Sequence, residues 1–398
     1  MRIGFDIGPI THSRSGVGNY CLNLLKALLE LDSLDISGFA ASARKLDLFA
    51  LGTPLRHRHL PIPTRAMYMI WSVLGVPRVD SLLGGVDVYH ATNYFLPPVR
   101  NAKRVLTIHD ITFKKHPELC SPKIVGPFSS KVAGFAKKAD AVIADSESTR
   151  RDIIDLLGVN AERVHTVHLA VDDALQPVPK EEARREVGKK FGLHHPYMIF
   201  VSTIEPRKNV PGLIQAFRRI KAEFPHRLVL VGKPGWNMEE FEKVSLLESL
   251  GAGTDTPESV SDAIEKLSSA TSESGHKRSR IERLGFVAQS DLSLLYSAAD
   301  ALVFPSFYEG FGLPVLEAMT CGCPVITANN SSLPEVAGDA AEYCDANDVD
   351  SIANAMRRVL SDSALRDQMV QRGFVQAAKF SWRKAAEQTA AIYRSVCE

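Results

Sequence analysis

Short apolar runs alternate with longer amphipathic stretches through the first part of the chain. Runs rich in β-branched residues predict strands, and apolar residues that recur every three or four positions predict helices. The predicted strands are Arg2–Ile7, Val86–Tyr89, Arg104–Ile108, Ala141–Ala144 and Val164–Val167. The predicted helices are Gly18–Leu31, Gly126–Lys138 and Ser146–Leu157. Such a βα series predicts a parallel sheet with helices on both faces.

A second series of the same kind follows a stretch of weaker pattern. Residues 172–195 are rich in proline and mixed charge, and we interpret them as a linker. Residues 248–280 are rich in Ser, Thr and charge, which predicts a partly disordered surface insertion. The predicted strands are Tyr197–Val201, Arg227–Val231, Ile281–Gly285, Ala301–Phe304 and Pro324–Thr327. The predicted helices are Val210–Phe224, Leu292–Ala299, Leu313–Thr320, Val349–Leu360 and Leu365–Lys379.

The two series predict two doubly wound α/β domains, 1–171 and 196–380, with a cleft between them. In such sheets ligands bind outside the carboxyl ends of the strands. We therefore expect the segments that follow strands to meet in the cleft and to carry the chemistry.

Composition and charge argue against several classes of function. The net charge is +1 at pH 7, which does not favour a nucleic-acid binder held by bulk charge. The six cysteines are scattered without zinc spacing, so we interpret them as reduced thiols of a cytoplasmic protein. The first residues lack a signal-peptide pattern, and the longest apolar run, 66–76, is too short to span a bilayer.

Two carboxylates, Glu309 and Glu317, flank a glycine-rich turn that runs into a predicted helix. If this helix begins near Leu313, Glu317 lies in its first turn, and the N–H groups of Gly312 and Leu313 favour an anion. Ionised carboxylates only accept hydrogen bonds, and sugar hydroxyls donate them. A nucleotide sugar satisfies both demands. The alternative is that Glu317 is a favourable first-turn acid and Glu309 a solvated loop residue.

The segment Ser13–Tyr20 follows the first predicted strand and contains Gly16 and Gly18. Glycine lets the backbone approach a ligand closely, and the helix that follows offers its N-terminus to a phosphate. A dinucleotide fingerprint needs a third glycine where this chain has Cys21, so that match fails. A phosphate loop and an ordinary tight turn both remain open.

Basic and imidazole side chains follow two further predicted strands. Arg207 and Lys208 precede a helix and suit a phosphate, because Arg binds it with two nitrogens and Lys acts as a point charge. The alternative is a solvated basic pair. His109 follows an apolar strand, where a histidine is either a site residue or a structural hydrogen-bonding group.

The order of these motifs resembles glycosyltransferase family 4. The resemblance rests on G-V-G-N-Y, I-H-D, E-P-R-K-N and E-G-F-G-L-P-V-L-E-A-M, and extends to Gly232–Trp236, Tyr296–Asp300 and Ser332–Val336. It implies the GT-B architecture, two facing Rossmann-like domains, with a C-terminal helix in 381–398 that crosses back to the first domain. It also implies a retaining transfer of a sugar from a nucleotide-diphosphate donor.

The resemblance implies a role for each candidate residue. The implied phosphate ligands are Arg207, Lys208 and the backbone N–H groups of Gly18, Gly312 and Leu313, and Gly16 is expected to let the backbone approach the nucleotide closely. Glu317 matches the ribose-binding acid, Glu309 matches the acid that holds the donor sugar beside Phe311, and His109 is expected to orient that sugar. This chain has Ser202-Thr203 where many relatives have Gly-Arg, and Arg207 is the candidate to replace that arginine.

The implied substrates are a nucleotide sugar and a glycan or lipid-linked acceptor. Likeness to bacterial mannosyl- and rhamnosyltransferases of surface polysaccharide assembly favours GDP-mannose. No cofactor or metal is expected, because cationic side chains neutralise the diphosphate and Asp348-Val349-Asp350 resembles a helix cap. The alternatives are a GT-B nucleotide-sugar epimerase, a phosphorylase, a catalytically silent binding subunit and an NAD-linked oxidoreductase. The failed fingerprint disfavours the last, and no pyridoxal-binding lysine context is evident for the phosphorylase.

Residues 55–78 combine an apolar run with aromatic and basic side chains, namely Arg56, Arg58, Arg65, Tyr68, Trp71 and Arg78. Such a segment suits peripheral contact with the inner face of the plasma membrane, where cations meet anionic lipid. The alternative is a core helix with a basic rim.

Overall fold

The computed structural model describes residues 1–11, 15–121, 125–126, 129, 131–236, 241–242 and 280–398. The chain divides into two compact units, unit 1 with Met1–Asp172 and Phe380–Glu398, and unit 2 with Asp173–Lys379. The predicted insertion, 248–280, lies outside the described residues except for Arg280. Among the described residues, no helix combines the length and the apolar character needed to cross a membrane.

Unit 1 is built on a seven-stranded sheet in which every neighbouring pair is parallel. The order is β3-β2-β1-β4-β5-β6-β7, so the chain reverses its direction of winding between β1 and β4. The strands are β1 (Arg2–Asp6), β2 (Asp35–Ala41), β3 (Arg56–Leu60), β4 (Val88–Ala91), β5 (Lys103–Ile108), β6 (Ala141–Ala144) and β7 (Val164–Thr166).

The helices of unit 1 begin where the sequence supplies caps. Ser146 accepts a hydrogen bond from the N–H of Thr149 at 3.0 Å, as expected of the predicted N-cap. The unit 1 helices are α1 (Gly16–Leu29), α2 (Thr64–Leu74), α3 (Val79–Leu82), α4 (Thr112–Lys115), α5 (Val132–Lys138), α6 (Glu147–Leu157) and the C-terminal α14 (Trp382–Ser395). The start predicted for α5, Gly126, falls among residues that are only partly described.

The C-terminal helix packs on α1 and is anchored in unit 1 at both ends. The indole N–H of Trp382 donates to the carbonyl of Val171 at 2.9 Å, and the hydroxyl of Tyr393 lies 2.7 Å from Nδ1 of the buried His90. Burial lowers the pKa of His90 to about 3, so this imidazole is neutral in the core.

Unit 2 has a six-stranded sheet of order β10-β9-β8-β11-β12-β13, again parallel throughout. The order of the strands matches the doubly wound dinucleotide-binding sheets, with its switch point between β8 and β11. The strands are β8 (Tyr197–Val201), β9 (Arg227–Val231), β10 (Ile281–Gly285), β11 (Ala301–Phe304), β12 (Val325–Ala328) and β13 (Ala341–Cys344). The helices are α7 (Lys180–Phe191), α8 (Val210–Ile220), α9 (Gln289–Ala298), α10 (Leu313–Thr320), α11 (Leu333–Ala337), α12 (Val349–Ser361) and α13 (Ser363–Ala377).

The interpretation of 172–195 as a linker is wrong over half its length, because Lys180–Phe191 forms helix α7 of unit 2. Its apolar face is narrow, with Ala183 and Val187 buried, so charge dominates its sequence. It packs on α9, and Lys180 and Arg184 both bind Asp300, at 2.8 and 3.0 Å. The capping glycine Gly192, with φ of 69°, marks its end.

Candidate active site

The predicted basic pair and the first predicted carboxylate lie together at the switch point of unit 2. Arg207 and Lys208 follow β8, and Glu309 follows β11, which is the neighbouring strand in the sheet. Parallel neighbours present their carboxyl ends at the same edge, which is where doubly wound sheets bind ligands. Residues about 100 positions apart in the chain are thereby brought into contact.

Glu309 binds both cations. Its Oε1 is 2.6 Å from Nζ of Lys208, and its Oε2 is 3.0 Å from a guanidinium nitrogen of Arg207. The other side of the guanidinium binds Glu205, at 2.8 Å. Lys208 and Glu309 are each only 5% exposed, so neither is the solvated surface charge that was the alternative. The structure therefore contains a buried cluster of two cations and two carboxylates.

The cluster shifts the pKa values of both buried residues, Glu309 and Lys208. Burial alone would raise the pKa of Glu309, but Arg207 and Lys208 outweigh it and hold that pKa below its ordinary value. Burial lowers the pKa of Lys208, the Arg207 cation lowers it further, and Glu309 and Glu205 only partly offset this. Glu309 is therefore a carboxylate at neutral pH and acts as a hydrogen-bond acceptor.

Serine residues of a later loop fix the backbone that carries Glu309. The N–H of Glu309 donates to Oγ of Ser331 at 3.0 Å. The hydroxyl of Ser332 is placed to donate to the carbonyls of Glu309 and Phe311, at 3.0 and 2.8 Å. The predicted pocket residue Phe311 is itself 4% exposed. Ser331, Ser332 and Glu205 were not predicted as site residues, although Ser332 begins the Ser332–Val336 motif.

The Gly232–Trp236 motif braces the loop that precedes Arg207. The N–H of Gly235 donates to the carbonyl of Ile204 at 2.8 Å, and the N–H of Ile204 donates to the carbonyl of Lys233 at 2.9 Å. Gly232 has φ of 144°, and a Cβ added there would lie 1.8 Å from the carbonyl oxygen of Ser202. Only glycine fits so close to this carbonyl, so the motif holds the loop that precedes Arg207 in place.

Helix α10 begins at Leu313 as predicted, with Gly312 at the N-cap in a left-handed conformation, φ 104°. Among the described residues, no acceptor is present for the N–H groups of Gly312 and Leu313, as a helix start that binds an anion requires. The placement of Glu317 in the first turn is wrong, because it is the fifth residue of the helix. Its Oε2 accepts from the buried Tyr296 hydroxyl at 2.9 Å.

His109 lies in unit 1, at the carboxyl end of β5, and both of its ring nitrogens face acceptors. Nδ1 is 2.7 Å from Oδ2 of Asp145, and Nε2 is 3.0 Å from the carbonyl oxygen of Thr92. Burial opposes a charge on the ring, but Asp145 and the Thr92 carbonyl outweigh it and raise the pKa of His109 above 6.5. Asp145, at the end of β6, was not predicted because nothing in the sequence links it to His109.

We expect the imidazole of His109 to titrate above pH 6.5 in NMR, and to titrate at lower pH after Asp145→Asn, which removes the compensating charge. Because the folded pKa of His109 is raised, the stability that its protonation contributes is full below pH 6.5 and is lost as the pH rises through the raised pKa. The other eleven of the twelve histidines are internal controls. An unchanged midpoint in the variant would show that Asp145 does not set the charge on His109.

The predicted glycine loop of unit 1 is only partly described, since residues 12–14 are not. Ser15 caps α1, and its Oγ accepts from the N–H of Gly18 at 3.3 Å. The prediction that the N–H of Gly18 faces a phosphate is therefore wrong, because this N–H donates to Oγ of Ser15. Gly16 is exposed, and a Cβ there would meet no atom within 4 Å. A close ligand approach at Gly16 stays a prediction.

Two further expectations concern metals and thiols. Oδ1 of Asp348 accepts from the N–H of Asp350 at 2.8 Å, so the D-x-D segment caps α12 as predicted. Within the described residues, no cluster of three or more His, Cys, Asp or Glu side chains is arranged to hold a metal. The six cysteines are all free thiols.

Comparison with known proteins decides the family. Residues 14–175 match the family described as Glycosyltransferase Family 4, and residues 180–376 match Glycosyl transferases group 1. The O-antigen chain mannosyltransferase B of Escherichia coli is 32% identical over 407 residues, which cover 99% of this chain and 100% of that protein. The chain belongs to glycosyltransferase family 4. It is a hexosyltransferase.

Further relatives of this family 4 enzyme fit the same assignment. The serotype-specific mannosyltransferase WbdA of Escherichia coli is 31% identical over 288 residues, which cover 71% of this chain and 32% of that protein. The chain thus spans about a third of the length of WbdA.

Sucrose-phosphate synthase from Thermosynechococcus elongatus superimposes with a TM-score of 0.73 at 20% identity, covering 99% of this chain and 98% of that one. The predicted GT-B fold class, with its two Rossmann-like sheets, is confirmed.

Proposed function

We propose that this enzyme transfers mannose from GDP-mannose, with retention of configuration, to a glycan or lipid-linked acceptor in surface polysaccharide assembly. The buried cluster of Arg207, Lys208 and Glu309 carries the proposal. The choice of mannose is supported by the full-length similarity to a protein named as an O-antigen chain mannosyltransferase. The choice of guanine as the base rests on the same likeness.

The cluster suits the charge that develops as the glycosidic bond opens. The departing diphosphate gains negative charge, and preorganised cations aimed at it are the strongest means of stabilising it. Arg207 and Lys208 supply two cations, and the N–H groups of Gly312 and Leu313, which have no acceptor within the described part of the chain, supply two dipoles. Glu309 holds both cations in position and can accept further hydrogen bonds from hydroxyls of the donor sugar.

Retention does not require Glu309 to act as a nucleophile. Its lowered pKa and its two cationic partners make it a poor one, unlike the nucleophilic carboxylate of retaining glycosidases. We favour attack from the face of the leaving group, with a phosphate oxygen accepting the proton of the acceptor hydroxyl. Because cationic side chains neutralise the phosphates, we propose that the reaction needs no divalent metal.

A thermal-shift screen of GDP-, UDP-, ADP- and dTDP-sugars tests the donor. A ligand at 100 times its Kd adds about 2.7 kcal/mol to the free energy of unfolding. We expect GDP-mannose to stabilise the protein selectively, to the same extent in EDTA as with added Mg²⁺ or Mn²⁺. Selective stabilisation by another nucleotide would refute the donor, and a requirement for metal would refute the charge argument.

Product analysis distinguishes a transferase from the two alternative functions, an epimerase and a silent binding subunit. A transferase leaves the donor sugar unchanged until an acceptor is added, whereas an epimerase interconverts the donor sugar without one. A silent subunit binds the donor and does neither. We expect α-linked product only when acceptor is present, and β-linked product would refute retention.

We also propose that α2 contacts the surface of the membrane from the cytoplasmic side. One face of α2 is buried through Met67 and Trp71, and the alternative, a core helix with a basic rim, does not account for the apolar side chains on its other face. On that outer face and just beyond it, Met69, Val73, Leu74 and Val76 are 68, 80, 65 and 47% exposed. Exposed Arg65 and Arg78 flank these apolar side chains. Apolar residues with flanking arginines suit an anionic lipid surface.

The double substitution Val73→Ser, Leu74→Ser is expected to reduce flotation with phosphatidylglycerol-containing liposomes, because it removes apolar area that would enter the interface. Val375→Ser is the matched control, since Val375 is 68% exposed on α13 of unit 2. Equal flotation of the two variants and the wild type would exclude α2 as the contact.

A further inference from the structure

Left-handed backbone conformations outside glycine lie beside the buried cluster of unit 2. Within the described part of the chain, the non-glycine residues with positive φ are Asn209 and Ser331, at 54° and 50°. Asn209 directly follows Lys208, and Ser331 accepts the N–H of Glu309. Conformations of this kind are uncommon for residues with a Cβ, and they concentrate at functional sites, where the surrounding structure holds them. The two residues therefore flank the ion pair of Lys208 and Glu309.

Asn209 fixes the backbone on the carboxyl side of Lys208. Its Nδ2 donates to the carbonyl of Ala346 at 2.7 Å, and the residue is only 6% exposed. Ala346 follows β13, so this bond ties the loop after β8 to a loop at the far side of the sheet. Asn209 occupies the N-cap position of α8, but its side chain makes no capping bond there. Lys208 cannot move away from Glu309 through this loop without breaking a buried hydrogen bond.

Ser331 fixes the backbone that carries Glu309. Its Oγ accepts from the N–H of Glu309 at 3.0 Å and is placed to donate to Oδ1 of Asn330 at 3.0 Å. Nδ2 of Asn330 donates to the carbonyl of Ser306 at 3.1 Å, so the loop between Ser306 and Glu309 is held at both ends. Glycine would adopt a φ of 50° without strain, whereas serine pays a steric cost that its hydroxyl contacts offset.

We propose that Asn209 and Ser331 are positioning residues for donor binding. Asn209 holds Lys208 toward the diphosphate, and Ser331 holds Glu309 toward the hydroxyls of the donor sugar. The inference rests on the proposed sugar transfer and names the residues that fix its charged groups before the donor arrives. Groups that are already in place lose less conformational entropy on binding, so their fixed positions raise the affinity for the donor.

Glycine substitutions test this directly, because glycine keeps the left-handed backbone and removes only the side chain. Calorimetric titrations of the whole protein with GDP and with GDP-mannose measure the effect. We expect Asn209→Gly to weaken both ligands about tenfold, near the smaller losses seen for one hydrogen bond to a charged group. Ser331→Gly should weaken GDP-mannose about tenfold and leave GDP unchanged, because Glu309 faces the sugar and not the phosphates.

The variant Ser331→Thr makes the opposite change. It keeps the hydroxyl but places a β-branched residue at a φ of 50°, so we expect wild-type affinity for GDP-mannose and a lower midpoint of denaturant unfolding. Ser331→Gly should show the reverse, with weakened GDP-mannose and a midpoint no lower than that of the wild type. A residue that served the fold alone would lose affinity and stability together in both variants.

Asn347→Gly is the control, because Asn347 is an exposed asparagine next to Ala346 whose side chain binds Asp345. It should bind both ligands as the wild type does. Wild-type affinities in Asn209→Gly and Ser331→Gly, or equal losses in all three glycine variants, would overturn the inference.

Parallel titrations with UDP and UDP-glucose keep this test separate from the choice of donor. If the wild type binds the uridine ligands instead, the proposed donor is refuted, and the same comparison of variants decides the roles of Asn209 and Ser331. If the wild type binds none of the four ligands, the proposed function itself is refuted, and this inference with it.

Discussion

Replacing Lys208 with alanine is expected to reduce the rate of sugar transfer by about 10²- to 10³-fold, the cost of losing one preorganised donor at a developing negative charge. Nζ of Lys208 is buried, bound to Glu309 at 2.6 Å and 5.1 Å from the centre of the Phe304 ring. Its position is therefore fixed before the phosphate gains charge. Steady-state rates with saturating donor measure the loss, after circular dichroism has confirmed that the variant is folded.

The matched control for Lys208→Ala is Lys189→Ala, on the exposed side of α7. Lys189 pairs with Glu186 at 2.9 Å and is 64% exposed, so removing it should change neither rate nor stability measurably. Lys208→Arg should recover part of the rate, because it restores a cation of different shape. Near-normal transfer by Lys208→Ala would remove Lys208 from the phosphate site.

The elements that the sequence predicted well are the buried parallel strands. β6, β8 and β11 have the predicted bounds, because a strand covered on both faces is a continuous apolar run. Three strands were missed, namely β2 (Asp35–Ala41), β3 (Arg56–Leu60) and β13 (Ala341–Cys344). Their sequences contain residues of weak strand propensity, and these strands are placed by pairing with their neighbours. Helix α7 was missed because only two apolar side chains, Ala183 and Val187, are buried on it, so its sequence shows little helical periodicity.

In the candidate site, too, the local sequence predicted some residues and missed those that depend on contacts between distant segments. Arg207, Lys208 and Glu309 could be found because each follows a recognisable strand, and the sheet order then brings them together. Their partners could not be found this way. Nothing local pairs Ser331 with Glu309, or Asp145 with His109, because these contacts arise only when strands and loops distant in sequence become neighbours.

Replacing Glu309 with leucine is expected to abolish measurable transfer and to lower the free energy of unfolding by about 3–5 kcal/mol, because it leaves buried cations without their partner. Both oxygens of Glu309 are engaged, and the residue is 5% exposed. Since its pKa is lowered in the folded protein, its contribution to stability is present above pH 4.5 and lost as the pH falls through the lowered pKa. Denaturant unfolding at pH 7 measures the loss.

The double variant Lys208→Met, Glu309→Leu separates the structural from the chemical role of the pair. Replacing both buried charges by apolar side chains of similar volume removes the unpaired charge, so most of the lost stability should return, while Arg207 keeps its contact with Glu205. Transfer should remain lost, because neither the cation nor the hydroxyl acceptor is restored. Glu309→Gln completes the comparison, since it preserves shape and removes only the charge. A double variant that regains both stability and transfer would show that the pair serves the fold alone, whereas stability without transfer assigns the pair to the chemistry.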